Sequence, residues 1–314
     1  MKAVILCGGK GTRLAGETEF KPKPLVEIGG RPILWHIMKI YSSQGIKDFI
    51  LCLGYKGHMI KDYFLKLEER NNDFVLDLRK NKIYHLTDNE GLDVRITFVD
   101  TGQEVMTGAR IARIQKYIGN DEDFFMTYGD GVSDIDLRKL YSFHKRKGKV
   151  ATLTAVHPVY KYGLVEIEDD LIKKFDEKPN MKDLINGGFM VFNQRIFSYL
   201  STEPNCILEQ EPMKKLAEDN ELGGYVHTSF WKSMDTQKDV DELNEIHEQG
   251  APWEVWKGKE SLIDGGDSAF SEEQLSVCHS DNVGNLISQE MEKNLNSNLD
   301  STLGDNLNRG SQNE

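Results

Sequence analysis

Ala3-Val4-Ile5-Leu6-Cys7 is a short apolar run of strand character that leads straight into Gly8-Gly9-Lys10-Gly11-Thr12-Arg13-Leu14. Three glycines within four positions let backbone N–H groups converge on an anion without Cβ obstruction, which describes a phosphate cradle at the end of a first strand. A glycine-rich tight turn with solvated cations is the competing reading. The loop is not of the Walker type, because no Gly-Lys-Ser/Thr follows at the required spacing. The dinucleotide fingerprint fails as well, since Leu14 stands where its third glycine belongs. Downstream, Lys21-Pro22-Lys23-Pro24 puts two ammonium groups on a stretch that its prolines keep out of a helix interior, while Arg13 offers a planar fork. Together these cations suit a triphosphate under attack.

Outward from the loop, periodicity predicts a helix over 31–44, with Ile33, Leu34, Ile37, Met38 and Tyr41 on one face, and a strand over 49–53. Strand-helix alternation continues with a helix over 58–69, a strand over 94–99, a helix over 110–117, a strand over 123–127, a helix over 136–147 and a strand over 151–156. Parallel neighbours need crossover connections, and helices supply them, so the class is α/β: a mostly parallel sheet flanked by helices. From Tyr162 the runs shorten, with strands over 164–168, 187–192 and 225–228 and helices over 211–219 and 236–249 that complete the sheet and build one wall of a pocket.

The 314 residues carry a formal charge of −12. Past Lys257 the composition shifts: three Lys/Arg stand against eleven Asp/Glu, and residues 259–314 hold nine Ser, eight Asn and a single aromatic residue, Phe270. So little apolar surface cannot offset the backbone entropy of ordering the segment, and 258–314 reads as a disordered acidic tail. Its scattered leucines leave open a weak amphipathic helix for a partner. No basic block provides the counterion release that nucleic-acid binding requires. No apolar run approaches the roughly 20 residues that span a bilayer, and no secretory segment opens the chain. Cys7, Cys52, Cys206 and Cys278 stand far apart without a C-x-x-C pair, so neither a zinc site nor a disulfide framework is indicated and a reducing cytoplasm fits best.

The loop and Lys21-Pro22-Lys23-Pro24 resemble the signature of the sugar-1-phosphate nucleotidyltransferases, the family that makes nucleotide sugars from a nucleoside triphosphate and a sugar phosphate. Further matches follow in order: Gly30-Arg31-Pro32-Ile33-Leu34-Trp35, Val99-Asp100-Thr101-Gly102, Met106-Thr107-Gly108, Tyr128-Gly129-Asp130-Gly131, Glu177-Lys178-Pro179, Asn186-Gly187-Gly188-Phe189, Phe230-Trp231-Lys232-Ser233-Met234-Asp235-Thr236 and Ala251-Pro252-Trp253-Glu254-Val255-Trp256. They span residues 1 to about 257. The resemblance implies a Rossmann-like nucleotidyltransferase fold with a nucleotide-binding part over about 1–150 and a small sugar-binding part over about 151–257. It is nearest the cytidylyl branch, which implies CTP and glucose 1-phosphate as substrates, Mg2+ as cofactor, supply of deoxysugars for surface polysaccharide, and a homo-oligomer, hexameric in that branch. A transferase for another nucleotide and sugar pair, or an idle homologue that binds nucleotide sugar and regulates a partner, is the alternative.

By the same resemblance Arg13 and Lys23 are catalytic, bracing the leaving phosphates and bridging the two reacting phosphates. Leu6, Cys7, Gly8, Gly9, Lys10, Gly11, Thr12, Arg110 and Gly129 complete the nucleotide site, Glu177, Lys178, Asn186 and Gly187 the sugar-phosphate site, and Asp130 and Asp235 hold the metal. Each has a plainer reading: Asp235 as the N-cap of the helix that follows, Asp130 as a turn residue, Lys178 as a solvated loop cation, Arg110 as a surface charge. Four positions depart from the family pattern. Cys7 and Lys10 replace an alanine and a leucine, Ala109 replaces a glycine, and Val159-Tyr160-Lys161-Tyr162 replaces a Pro-Gly-Arg-Phe stretch beside the sugar site. His36 and His144 read as structural, His144 on a solvent face, and Trp231, Trp253 and Trp256 as packing anchors.

Overall fold

In the computed structural model, residues 1–14, 16–86, 91–158, 163–177 and 183–257 are described. Seven strands form the central sheet: β1 (Lys2–Leu6), β2 (Asp48–Leu53), β3 (Arg95–Asp100), β4 (Asp123–Tyr128), β5 (Ala151–Val156), β6 (Ile185–Asn193) and β7 (Leu222–His227). Their spatial order is β7-β5-β6-β4-β1-β2-β3. Every neighbouring pair is parallel except the two that β6 makes, with β5 and β4. The sheet is therefore mixed and mostly parallel; of the later strands Ile185–Asn193 and Leu222–His227 complete it, whereas Leu164–Glu168, expected to join it, pairs only with Leu171–Asp176 in a separate two-stranded ladder.

Strands β1, β2 and β4 read as unbroken apolar runs because both of their faces are covered: Val4, Ile5, Leu51, Cys52, Phe124 and Phe125 are all inaccessible to solvent. On one face Val4, Ile50, Phe124, Met126, Met190 and Phe192 pack with Ile111, Ile114 and Ile118 in a single core cluster. Tyr41 of helix Ile33–Ser42 meets Phe49, Phe125 and Phe189 at centroid distances of 6.4, 5.7 and 6.0 Å.

Several boundaries differ from expectation for local reasons. The first helix starts at Ile33 because Arg31 and Pro32 pair with Glu27 and Ile28 in a short ladder. The helix expected over 58–69 divides at Lys66 into Gly57–Leu65 and Leu67–Asn71, and that over 110–117 divides at Ile114 into Thr107–Arg113 and Gln115–Ile118. Also not anticipated are a hairpin of Phe74–Asp77 with Lys82–His85, strand Leu171–Asp176 pairing with Leu164–Glu168, and the ladder of Gly131–Ser133 with Trp231–Ser233. His144 is not on a solvent face. It is 2% exposed, with Nδ1 2.8 Å from Thr152 Oγ1 and Nε2 3.5 Å from Asp123. Its neighbours Lys145 and Arg146 obscured this, because adjacent helical positions face different directions.

Candidate active site

The carboxyl ends of β1, β2 and β4 meet at the glycine loop, where open α/β sheets hold ligands. Cys7 N donates to Cys52 O at 3.0 Å and Tyr55 N to Gly8 O at 3.2 Å, so the loop is stitched to β2 as it leaves the sheet. From the other side Arg110 is 3% exposed, and its guanidinium donates to Gly8 O (2.9 Å), Leu53 O (3.0 Å), Thr101 Oγ1 (2.7 Å) and Gly102 O (2.7 Å). That excludes the surface-charge reading. Both terminal nitrogens bond to the protein, and through Gly8 O the side chain pins the loop. A Cβ on Gly8 would lie 2.2 Å from Arg110 Nη1, which is why glycine is needed there.

Lys23, between Pro22 and Pro24, opens a 3-10 turn, Lys23–Leu25, and is buried. Its Nζ lies 2.7 Å from Asp130 Oδ2 and 2.9 Å from Asp235 Oδ1, with Arg13 Nη2 also 2.9 Å from Asp235 Oδ1. These acids converge because Gly131–Ser133 pairs antiparallel with Trp231–Ser233, and Met234 N donates to Asp130 O at 2.8 Å. Asp235 is not the helix cap. Thr236 takes that role for Gln237–Glu248 in a capping box with Asp239, leaving the Asp235 carboxylate to face Lys23. Burial works against the Lys23 ammonium, but Asp130 and Asp235 outweigh it and raise its pKa. Burial likewise opposes ionisation of Asp235, yet Lys23 and Arg13 hold its carboxyl below the usual range.

A cleft of about 300 Å³ opens over this floor. Leu6, Cys7, Gly8, Gly9, Gly11, Thr12, Arg13, Lys23, Arg110, Gly129 and Asp130 all line it, so nearly every residue expected at the nucleotide is brought to one place. Gly129 permits the close approach: a Cβ there would lie 2.9 Å from Leu6 O. Lys10 is not among the lining residues and instead pairs with Glu104 at 2.7 Å. Burial foremost pushes the Cys7 thiol well up, so it is a neutral wall and not a nucleophile.

Toward the expected sugar site, Asn186 Nδ2 donates to Tyr128 Oη at 3.2 Å and Gly187 O accepts from Trp231 Nε1 at 2.6 Å. Glu177 is exposed at the end of strand Leu171–Asp176, outside the cleft lining. Lys178 and residues 159–162 lie outside the described residues, as does the segment 258–314. Tyr128, Thr107 and Val105 also line the cleft, and Glu209 bonds to both Tyr128 and Thr107. Nothing in the local sequence around Glu209 signals this, since it lies in an acidic stretch just before helix Glu211–Glu218.

Among the described residues no cluster of three or more His, Cys, Asp or Glu is placed to hold a metal. Asp130 lines the cleft, Asp235 does not but meets it through their shared contact with Lys23, and such a pair of carboxylates fits magnesium, a hard ion that takes one or two carboxylates and completes its shell with phosphate oxygens and water.

A nucleotidyl transferase family model matches residues 2–248. A protein of Bacillus subtilis (strain 168) described as a probable glucose-1-phosphate cytidylyltransferase is 47% identical over 257 residues, 82% of this chain and the whole of the relative. The glucose-1-phosphate cytidylyltransferase of Salmonella typhi is 46% identical over 260 residues, with the same coverage. Among solved structures, a UDP-glucose pyrophosphorylase from Acinetobacter baumannii shares the fold, with a TM-score of 0.59 at 19% identity over 84% of this chain and 98% of that one. A glycine loop, a paired lysine and two converging aspartates on one mixed sheet thus coincide with a match over most of the length, and the chain belongs to the nucleotidyl transferase family.

Proposed function

We propose that the chain transfers the cytidylyl group of CTP to glucose 1-phosphate, giving CDP-glucose and diphosphate. The observation that carries the chemistry is the Lys23 ammonium held between Asp130 and Asp235 at the floor of the glycine-loop cleft. The choice of cytidylyl and glucosyl partners is supported by the relatives matched over their full length.

An oxygen of the sugar phosphate attacks the α-phosphorus in line, the bond from that phosphorus to the α–β bridging oxygen breaks, and diphosphate leaves with the electron pair. The attacking oxygen is already ionised, so no protein base is needed. Catalysis rests on positioning and on neutralising phosphate charge. Loop N–H groups cradle the triphosphate, and Arg13, three-quarters exposed at the rim, is free to follow the departing diphosphate. An ammonium has three hydrogens; two of Lys23's go to Asp130 and Asp235, and the third is left for the α-phosphoryl oxygen. Asp130 and Asp235 are the residues that would hold magnesium, which when bound supplies Lewis-acid neutralisation of the reacting phosphates. Lys178, Glu177, Asn186 and Gly187 are assigned to the sugar phosphate.

The reading carries a cytoplasmic location, where nucleoside triphosphates are made. Among the described residues no helix is long and apolar enough to cross a membrane. It also carries a homo-oligomer, hexameric in the cytidylyl branch. Val75, Leu76, Ile83 and Tyr84 on the exposed hairpin, each 42–50% exposed, support association between copies.

Diphosphate release with magnesium tests the reading, with CTP, UTP, dTTP, GTP and ATP each offered glucose 1-phosphate and mannose 1-phosphate. Release with CTP and glucose 1-phosphate, abolished by EDTA, is the expected outcome. Release with another pair keeps the mechanism and overturns the substrates, and CTP binding without any turnover overturns the reading.

A further inference from the structure

Glu209 joins the two walls of the cleft. Its Oε2 accepts from Thr107 Oγ1 at 2.6 Å and its Oε1 from the Tyr128 phenol. On the far side Asn186 Nδ2 donates to Tyr128 Oη at 3.2 Å, and Asn186 Oδ1 accepts from Gly188 N at 2.8 Å. The backbone that presents Glu209 is fixed by contacts other than its own side chain: Met106 N donates to Pro204 O at 2.8 Å, Ala109 N to Cys206 O at 3.1 Å, and Leu208 N to Thr107 Oγ1 at 2.9 Å. Gly108 makes this closure possible, for a Cβ there would lie 2.7 Å from Cys206 Sγ.

The direction of each bond follows from counting hydrogens. A hydroxyl has one, and a carboxylate can only accept, so Thr107 and Tyr128 both turn theirs toward Glu209. Burial, then the neighbouring Glu209 charge, raises the pKa of the phenol, which stays a neutral donor. Its oxygen is left as an acceptor for the Asn186 NH2, while Gly188 N–H holds the amide oxygen. Without the carboxylate the Tyr128 hydrogen is free to turn toward Asn186, and the amide loses one of the two contacts that define its orientation.

We propose that Glu209 is a positioning residue: through Tyr128 it fixes which edge of the Asn186 amide meets the hexose 1-phosphate. This rests on the assignment of Asn186 to the sugar phosphate made above.

Steady-state kinetics of the full chain, with nucleotide and hexose phosphate varied separately, test it in Glu209→Ala, Glu209→Gln, Asn186→Ala and the Glu209→Ala/Asn186→Ala double variant. Glu209→Ala is expected to raise the KM for hexose phosphate about tenfold while the KM for nucleotide stays within about twofold, the scale of one lost orienting hydrogen bond. Glutamine, whose amide oxygen still accepts from Tyr128, recovers most of the loss. In the Asn186→Ala background the Glu209 change adds little, because its effect has no other route. Equal rises in both KM values, full additivity, or an unchanged hexose KM in Glu209→Ala overturns the proposal. Thermal midpoints identify any variant that fails to fold; should Glu209→Ala do so, Tyr128→Phe, which keeps the ring and removes the hydrogen, must reproduce the hexose-selective rise. Wild-type turnover reports separately on the functional reading: if the wild type uses a different pair, the same ratios are measured with that pair.

Discussion

Lys23 is where sequence, packing and chemistry meet in one side chain. Two prolines keep it out of an α-helix interior, burial leaves its side chain 11% exposed, and two carboxylates keep it charged. Such a cation matters most when negative charge builds on the reacting phosphates, so its loss weakens the transition state more than the bound nucleotide. Lys23→Met should lower kcat about 100-fold or more while the KM for CTP moves only severalfold. Lys23→Arg should not rescue it, because a planar fork cannot reproduce the geometry of a point charge between Asp130 and Asp235. A loss confined to KM would show that the lysine only binds substrate.

At the level of elements, the helix Ile33–Ser42 is tied to the C-terminal part of the domain through a buried ring. His36 Nε2 donates to Ile28 O at 2.8 Å, and its Nδ1 accepts from Trp253 Nε1 at 3.2 Å, so the ring must be neutral. Burial drives its pKa down to about 4, from 6.5. Between those values the unfolded chain takes up a proton that the folded chain refuses, so stability is lost as pH falls through that window. Urea unfolding should show about 2 kcal/mol less stability near pH 5 than near pH 7.5 from this group, and His36→Gln should remove that part of the slope. An unchanged slope in the variant would place the pH dependence elsewhere. The same elements show what sequence makes legible. Strands buried on both faces announce themselves as apolar runs, and Ile33, Leu34, Ile37, Met38 and Tyr41 give the helix its period. The hairpin Phe74–Asp77 with Lys82–His85 has no such signature, because neither strand has a buried residue to set an alternation. The breaks at Lys66 and Ile114 leave no mark in the apolar spacing.

For the whole molecule, the glycine loop and Lys23, nine positions beyond it, could be read as a phosphate site from residue chemistry alone. Asp235 could not: it lies 212 positions from Lys23, and only the ladder between Gly131–Ser133 and Trp231–Ser233 brings it there. Arg110 is no surface charge: it is buried and clips carbonyls of the loop and its neighbours, which depends on where those carbonyls point and not on local spacing. Packing also shows that the body extends at least to Trp256. The family model stops at 248, yet Trp253 beyond it is fully buried, and Trp256 sits edge-to-face on Trp35 at a centroid distance of 5.9 Å. Relatives matched along their entire length need 257 residues of this chain. A chain ending at Lys257 should therefore keep its thermal midpoint within about 2 °C and its turnover within about twofold, losing only the strongly acidic segment. A chain ending at Gly250 gives up a buried tryptophan and the partner of His36, a loss of about 3–5 kcal/mol, enough to unfold a marginal domain. Thermal denaturation and diphosphate release on the two truncations separate these outcomes. Equal stability in both would mean that the Trp253 segment does not hold the body together, and lost activity in the longer one would move the functional boundary into the tail.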